Sequence, residues 1–143
     1  MTGNYLPSAN EAAAEQVQLY EDSDGRQGGT AFGVPCVILT TVGARSHGLR
    51  KTPLMRVEHE GMYAVIGSRR GKPNHPNWYH NLTANPDVQL QVGPESFAAK
   101  AHTAEGAERD RLWELMTGIW PNFNVYQTRT DRRIPVVVLE RSA

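Results

Sequence analysis

The chain has one cysteine, three phenylalanines and no net charge across its 143 residues. A lone cysteine excludes an intrachain disulfide. Cys36 sits in the apolar run Val34-Pro35-Cys36-Val37-Ile38-Leu39, where a buried, inert thiol is the expectation. With 15 Lys and Arg against 15 Asp and Glu, bulk affinity for nucleic acid is not expected. No apolar run approaches the roughly 20 residues of a membrane span, and no signal peptide opens the chain. A cytoplasmic protein is expected, with any association with a membrane only peripheral. The five histidines show no metal-ligand spacing and no HExxH, so no metal site is expected. There is no G-x-S-x-G elbow, no Gly-Lys-Ser/Thr phosphate loop and no G-x-G-x-x-G before a helix. Asn81-Leu82-Thr83 matches a glycosylation sequon by chance, given no secretory signal.

What the chain does have is segregated charge. Seven of its 15 basic residues fall between positions 45 and 75, with only Glu58 and Glu60 among them. The first 25 residues carry five acids and no Lys or Arg. Such segregation in a neutral chain suggests one anionic ligand held in one place. Two glycine-bearing basic turns hold the cations, VGARSHGLRK at 42–51 and GSRRGKPNHP at 67–76. Glycine lets backbone N–H groups approach an anion closely. Ser46 adds a hydroxyl, Arg45 and Arg50 add forked donors, and Lys51 adds a point charge. Each turn alone also reads as a solvated basic loop; two of them at strand ends would form one anionic cleft.

The pattern predicts a mainly β chain with peripheral helices, organised as one domain over 1–143. Ser8 and Glu11 form a capping-box pattern, which predicts a helix at about 8–22 after a frayed start. Gly25, Gly28 and Gly29 read as a flexible link. Strands are expected at 34–41, 52–59, 62–67, 88–92, 96–102 and 134–139, with Glu60-Gly61 turning a hairpin. Short helices are expected at 76–85 and from about 103 to 117, the second broken at Trp120-Pro121. Parallel βαβ repeats are absent, and six strands in hairpins manage their edges best as a small antiparallel barrel closed on itself. Trp78 and Tyr79 on the short helix, and Trp120, Phe123 and Tyr126 at three-residue spacing, are either core or the walls of an apolar pocket.

Several runs together resemble the deazaflavin-dependent nitroreductase family of actinobacteria. They are Thr41-Val42-Gly43-Ala44-Arg45-Ser46, Arg50-Lys51-Thr52-Pro53-Leu54, Gly67-Ser68, His75-Pro76-Asn77-Trp78-Tyr79-His80-Asn81-Leu82 with Ala84-Asn85-Pro86, and Thr130-Asp131-Arg132 with Ile134-Pro135-Val136-Val137-Val138. The likeness covers about 29 to 140, and the W-Y-x-N-L-x-A-N-P run is its specific part. It implies a split β-barrel like that of FMN-binding proteins, binding coenzyme F420, a deazaflavin with a phosphate and an oligoglutamate tail. It implies hydride transfer from F420H2 to a small acceptor: a quinone, an enone or a nitro compound. By the resemblance, Arg45, Ser46, Arg50 and Lys51 hold phosphate and tail. Thr52, Pro53, Leu54, Met55 and Arg56 contact the cofactor, as do Gly67, Ser68 and Arg69. Asn77, Trp78, Tyr79, His80 and Asn81 complete that set. Trp120, Phe123 and Tyr126 lie over the acceptor, and Ser68 and Tyr126 donate hydrogen bonds to it. Ala44 stands where a second basic residue is common, His47 displaces a glycine, and Phe123 replaces a phenol. An FMN-dependent oxidoreductase on the same barrel and a non-catalytic F420 carrier are the rival readings.

Overall fold

The computed structural model describes residues 3–142. Among them run eight strands: β1 (Thr30–Ala31), β2 (Val34–Val42), β3 (Leu49–Met55), β4 (Val57–His59), β5 (Met62–Ile66), β6 (Asp87–Val92), β7 (Glu95–Thr103) and β8 (Val136–Arg141). Four helices accompany them: α1 (Glu11–Ser23), α2 (Asn77–Ala84), α3 (Gly106–Ile119) and α4 (Asn122–Thr128). Every ladder between the strands is antiparallel, in the order β1-β2-β6-β7-β8-β5-β4, with β3 on β2.

β8 is an interior strand, between β7 and β5. Val136, Val137, Val138 and Leu139 are all buried, because both faces of the sheet are covered there. Val137 and Leu139 join Val37, Leu39, Val65 and Leu90 inside the curl, which α2 plugs with Trp78 and Leu82. Val136 and Val138 face the other way, onto Leu112 and Met116 of α3 and Phe123 of α4. A third, small cluster docks α1 on the sheet through Val17, Tyr20 and Ile38.

The sheet curls but does not close. β3 comes up against β5, yet among the described residues no ladder joins them. The fold is therefore a split half-barrel rather than the fully closed barrel that edge protection suggested. Eight strands replace the expected six for two reasons. Arg56 interrupts the run 52–59, bonding its N–H to the Pro35 carbonyl (3.1 Å), so that β3 follows β2 and only β4 makes the hairpin with β5. A two-residue strand, β1, precedes β2. The hairpin turn is as expected: Glu60 and Gly61 both have positive φ, 54° and 79°, which matches the twist of the flanking strands.

The N-terminus also differs from expectation. Asn10, not Ser8, caps α1, accepting from the Ala13 N–H at 3.1 Å, while the Ser8 hydroxyl accepts from Asn10 N–H. The helix starts at Glu11. The preceding residues are tied down: Leu6 N–H donates to the Leu49 carbonyl and Leu49 N–H to the Asn4 carbonyl, a strap laid parallel to the start of β3.

Candidate functional site

The open seam between β3 and β5 is a cleft of about 260 Å³. β3 supplies Pro53, Leu54 and Met55, and β5 supplies Ile66. Ser68 and Arg70 enter from the turn after β5, and Trp120, Phe123 and Tyr126 from the α3–α4 corner. Seven residues named from the sequence thus meet in one place although they lie in three separate segments. Trp120 and Tyr126 are half-buried, while Phe123 is buried against α3 and forms an edge-to-face pair with Tyr126 (6.2 Å). Phe123 is part of the floor, and Trp120 with Tyr126 forms the wall.

Sequence reasoning gave no site role to Gln16, Ala31, Phe32, Cys36 and Ile66, and it placed Arg70 only in the second basic turn. Phe32 is the most instructive of these. It is 79% exposed, has φ of 50°, and stacks on Trp120 with centroids 5.2 Å apart. An exposed aromatic ring in a strained backbone geometry is costly unless it has a use. The signal was an aromatic directly before Gly33, in the short stretch between the glycine link and the strand expected at 34–41. Cys36 is buried as expected, and burial pushes its thiol up to about 11 against the pull of Arg56, so it stays protonated at neutral pH.

The turn after β5 carries an unusual backbone. Ser68 is right-handed helical, and Arg69 and Arg70 follow with φ of 48° and 56°. Among the described residues the N–H groups of Ser68, Arg69 and Arg70 find no acceptor. Successive N–H groups in such a right-then-left-handed sequence form an anion-binding concavity.

The first basic turn, between β2 and β3, is closed by Gly43 N–H to the Gly48 carbonyl (2.7 Å) and His47 N–H to the Gly43 carbonyl (2.9 Å). Arg45, Ser46 and His47 are exposed, and the N–H groups of Arg45 and Ser46 are free among the described residues. Asn81 holds this turn from α2. Its carbonyl accepts from Ala44 N–H (2.9 Å) and its amide donates to the Thr41 hydroxyl (3.1 Å), so both ends of its side chain are engaged inside the protein. Arg50 and Lys51 are engaged as well. Arg50 donates to the Leu6 and Pro7 carbonyls, and Lys51 pairs with Glu21 of α1 at 2.5 Å.

The remaining residues named from the sequence stand back from the cleft wall. Trp78 is in the inner core, and the Tyr79 hydroxyl meets that of Thr103 at 2.9 Å. Gly67 is buried, Arg69, Asn77 and His80 are exposed, and Thr52 is half-buried on β3. Arg56 lies over the Tyr63 ring, 5.7 Å from its centroid, with its buried Nε lacking an acceptor. A second cavity of about 180 Å³ lies between β5 and α3, lined by His59, Tyr63, Glu108, Arg111 and Leu112 among others. None of the residues named from the sequence lines it.

Comparison with known proteins identifies the family. Residues 12–141 match the family model described as F420H(2)-dependent quinone reductase. A relative from Mycobacterium tuberculosis, named an F420H(2)-dependent quinone reductase, is 39% identical over 127 residues, covering 86% of this chain and 85% of its own. A solved structure titled F420-H2 dependent reductase is 46% identical, with a TM-score of 0.69, covering 74% of this chain and 94% of that one. A heme storage protein from Vibrio cholerae shares the fold alone, at 14% identity and a TM-score of 0.55 over 90% of this chain and 89% of its own. The family match spans nearly the whole half-barrel and includes both basic turns and the cleft. The chain belongs to the F420H(2)-dependent quinone reductase family, oxidoreductases that use coenzyme F420.

Proposed function

We propose that this chain binds reduced F420 in the seam cleft and reduces quinones with it. The carrying observation is the convergence of Pro53, Leu54, Met55, Ser68, Trp120 and Tyr126 on one cleft that the second basic turn enters with Ser68 and Arg70. The residues suit the cofactor. The apolar walls match a flat ring, and the unpartnered N–H groups at Arg45, Ser46 and Ser68–Arg70 match anionic or carbonyl oxygens. Arg45 on the exposed turn is the tail contact that needs no rearrangement; Arg50 and Lys51 must first leave their present partners.

When bound, the reduced cofactor supplies the hydride. The chain's own part is to orient the acceptor and to offer donors where negative charge grows on its oxygen. Ser68 and Tyr126 carry the hydroxyls for that role. Phe32, Trp120 and Phe123 present aromatic area without hydroxyls, which favours flat apolar acceptors: quinones first, fused-ring enones next, and nitro compounds last.

The test is a titration with F420 and FMN, followed by F420H2 oxidation with quinones, enones and nitroimidazoles. F420 is expected to bind more tightly than FMN, with an affinity that weakens in salt. Tyr126→Phe should slow quinone reduction by about 10²–10³-fold if its phenol stabilises the developing oxyanion. Binding of F420 with no turnover on any acceptor would make the chain a carrier, and equal, salt-insensitive binding of FMN would remove the F420 assignment.

A further inference from the structure

Arg132 lies in the loop before β8, more than sixty residues along the chain from the turn that it serves. Its guanidinium reaches back to the turn after β5. Nε donates to the Lys72 carbonyl (2.9 Å), Nη1 to the Gly67 carbonyl (3.1 Å), and Nη2 to the Ser68 carbonyl (2.7 Å). Nη1 also meets His75 Nδ1 at 2.9 Å. Arginine has donors and no acceptor, so His75 Nδ1 must be the acceptor, with its ring neutral and its proton on Nε2. One side chain thus binds three carbonyls and a ring nitrogen of a single ten-residue stretch.

The geometry has a direct consequence. Each peptide unit is planar, and no cis peptide bond occurs among the described residues, so C=O and N–H point in opposite directions across each unit. With the Gly67 and Ser68 carbonyls drawn to Arg132, the N–H groups of Ser68 and Arg69 must point away from it. These are two of the three N–H groups left without an acceptor, in a turn whose Ser68 and Arg70 line the cleft. The left-handed conformation of Arg69 and Arg70 costs free energy in a non-glycine residue and persists only if its surroundings hold it. Arg132 makes three bonds to the turn's carbonyls, against one of 3.5 Å from Arg129 to the Arg70 carbonyl.

We propose that Arg132, with neutral His75 as its acceptor, is a positioning residue that sets the Ser68–Arg70 turn and aims its N–H groups for an electron-rich oxygen of the bound cofactor. The cofactor part of this rests on the function proposed above; the orientation of the turn does not.

Protonation of His75 opposes the arrangement, because a proton on Nδ1 would face the guanidinium. The groups around His75 are Arg132 from the loop before β8, and Tyr79 and His80 from α2, with ring centroids 4.8 and 5.8 Å away. Arg69 of the turn acts on Arg132 in the same sense. Burial, then Arg132, then His80 hold the His75 ring below its ordinary value, so it stays neutral at pH 7. A depressed imidazole contributes fully above about pH 6.5, and the contribution is lost as pH falls through the lower folded value.

Two measurements test the proposal. The first uses the wild-type protein without cofactor and follows the backbone amide signals of Ser68 and Arg69 by NMR from pH 7.5 to 5. They are expected to shift with a single titration below pH 6.5, and to lose that titration in His75→Asn. Signals that ignore His75 overturn the clamp. The second measures F420 binding directly, beside thermal unfolding, for Arg132→Lys and Arg132→Gln. Both are expected to raise the dissociation constant about tenfold or more, because lysine keeps the charge and loses the fork. A merely structural arginine would lower the melting temperature and leave affinity within twofold, and that result also overturns the proposal. If neither variant folds, the pH titration on the wild type decides. If wild-type protein binds no F420 while the amide titration appears, the function proposed above fails and the positioning of the turn stands.

Discussion

Gly71 shows how closely the cleft turn is built against its neighbours. Its φ is 81°, and a Cβ there would sit 2.5 Å from the Tyr126 carbonyl oxygen and 2.8 Å from the Arg129 Cβ. Alanine would meet a backbone atom and a strained φ together, and neither can give way cheaply. Gly71→Ala is expected to destabilise the protein by about 1–3 kcal/mol or more, read by urea unfolding, and to shift α4 with its Tyr126 away from the cleft. Unchanged stability would mean that α4 and the turn are not in contact in solution. At this scale the sequence was legible where chemistry is local. A glycine among cations announced a turn, and Ser68 and Tyr126 both line the one cleft. It was silent on Arg132, because nothing in Thr130-Asp131-Arg132 refers to carbonyls of residues 67–72. It did not reveal the partners of Asn81, a polar residue in the most specific run, whose two ends hold the first basic turn from within.

Among the elements, α1 pairs with one of the cations named for the ligand, Lys51. Its apolar face was legible from Val17 and Tyr20, but where it docks was not, since a helix with so few apolar residues has no unique partner. The structure lays it beside β3, where Glu21 pairs with Lys51 while Lys51 also stands 4.8 Å from the Tyr5 ring. The pair is partly exposed, 21% and 31% for the two side chains. Such pairs are typically worth only about 0.2–1 kcal/mol, so Glu21 competes weakly with an anionic ligand for Lys51. Glu21→Gln is expected to lower the F420 dissociation constant by about 1.4- to fivefold at low salt, with the gain fading as salt rises. Weaker F420 binding in Glu21→Gln would mean that the pair holds the site open and does not compete with the ligand. The strand pattern was more legible than the helix docking. Period-two alternation survives in β6, and the all-apolar run of β8 announced a strand covered on both faces. The break at Arg56 was not legible, because alternation continues through it and only pairing with Pro35 reveals it.

The two larger cores are divided by the wall of β8, and the division assigns them different duties. The inner core, with Leu139 fully buried, fills the half-barrel and carries no cleft residue except Leu54 at its margin. The outer core, with Met116 fully buried, holds Phe123 and packs Met55, Trp120 and Tyr126 around it. That separation could not be read from the sequence, where Val136 to Leu139 is one apolar run with no mark of which residue faces which helix. It yields a prediction that distinguishes stability from function. Leu139→Ala and Met116→Ala each empty a site with no solvent exposure, and each is expected to cost about 2–5 kcal/mol, read by urea unfolding. Leu139 lies in the core that reaches the cleft only through Leu54, so folded Leu139→Ala should keep the F420 dissociation constant and the acceptor KM close to the parent's. Met116 lies under the α3–α4 corner, and a void there lets Phe123 sink and Trp120 with Tyr126 follow. Folded Met116→Ala should therefore raise the quinone KM and change the ranking of acceptors, with a smaller effect on F420 affinity, because no residue of the first basic turn packs in the outer core. Steady-state kinetics over the acceptor panel, beside direct F420 titration, separates the two variants. Equal kinetic effects from both would mean that the cores act as one unit and that the acceptor wall has no support of its own.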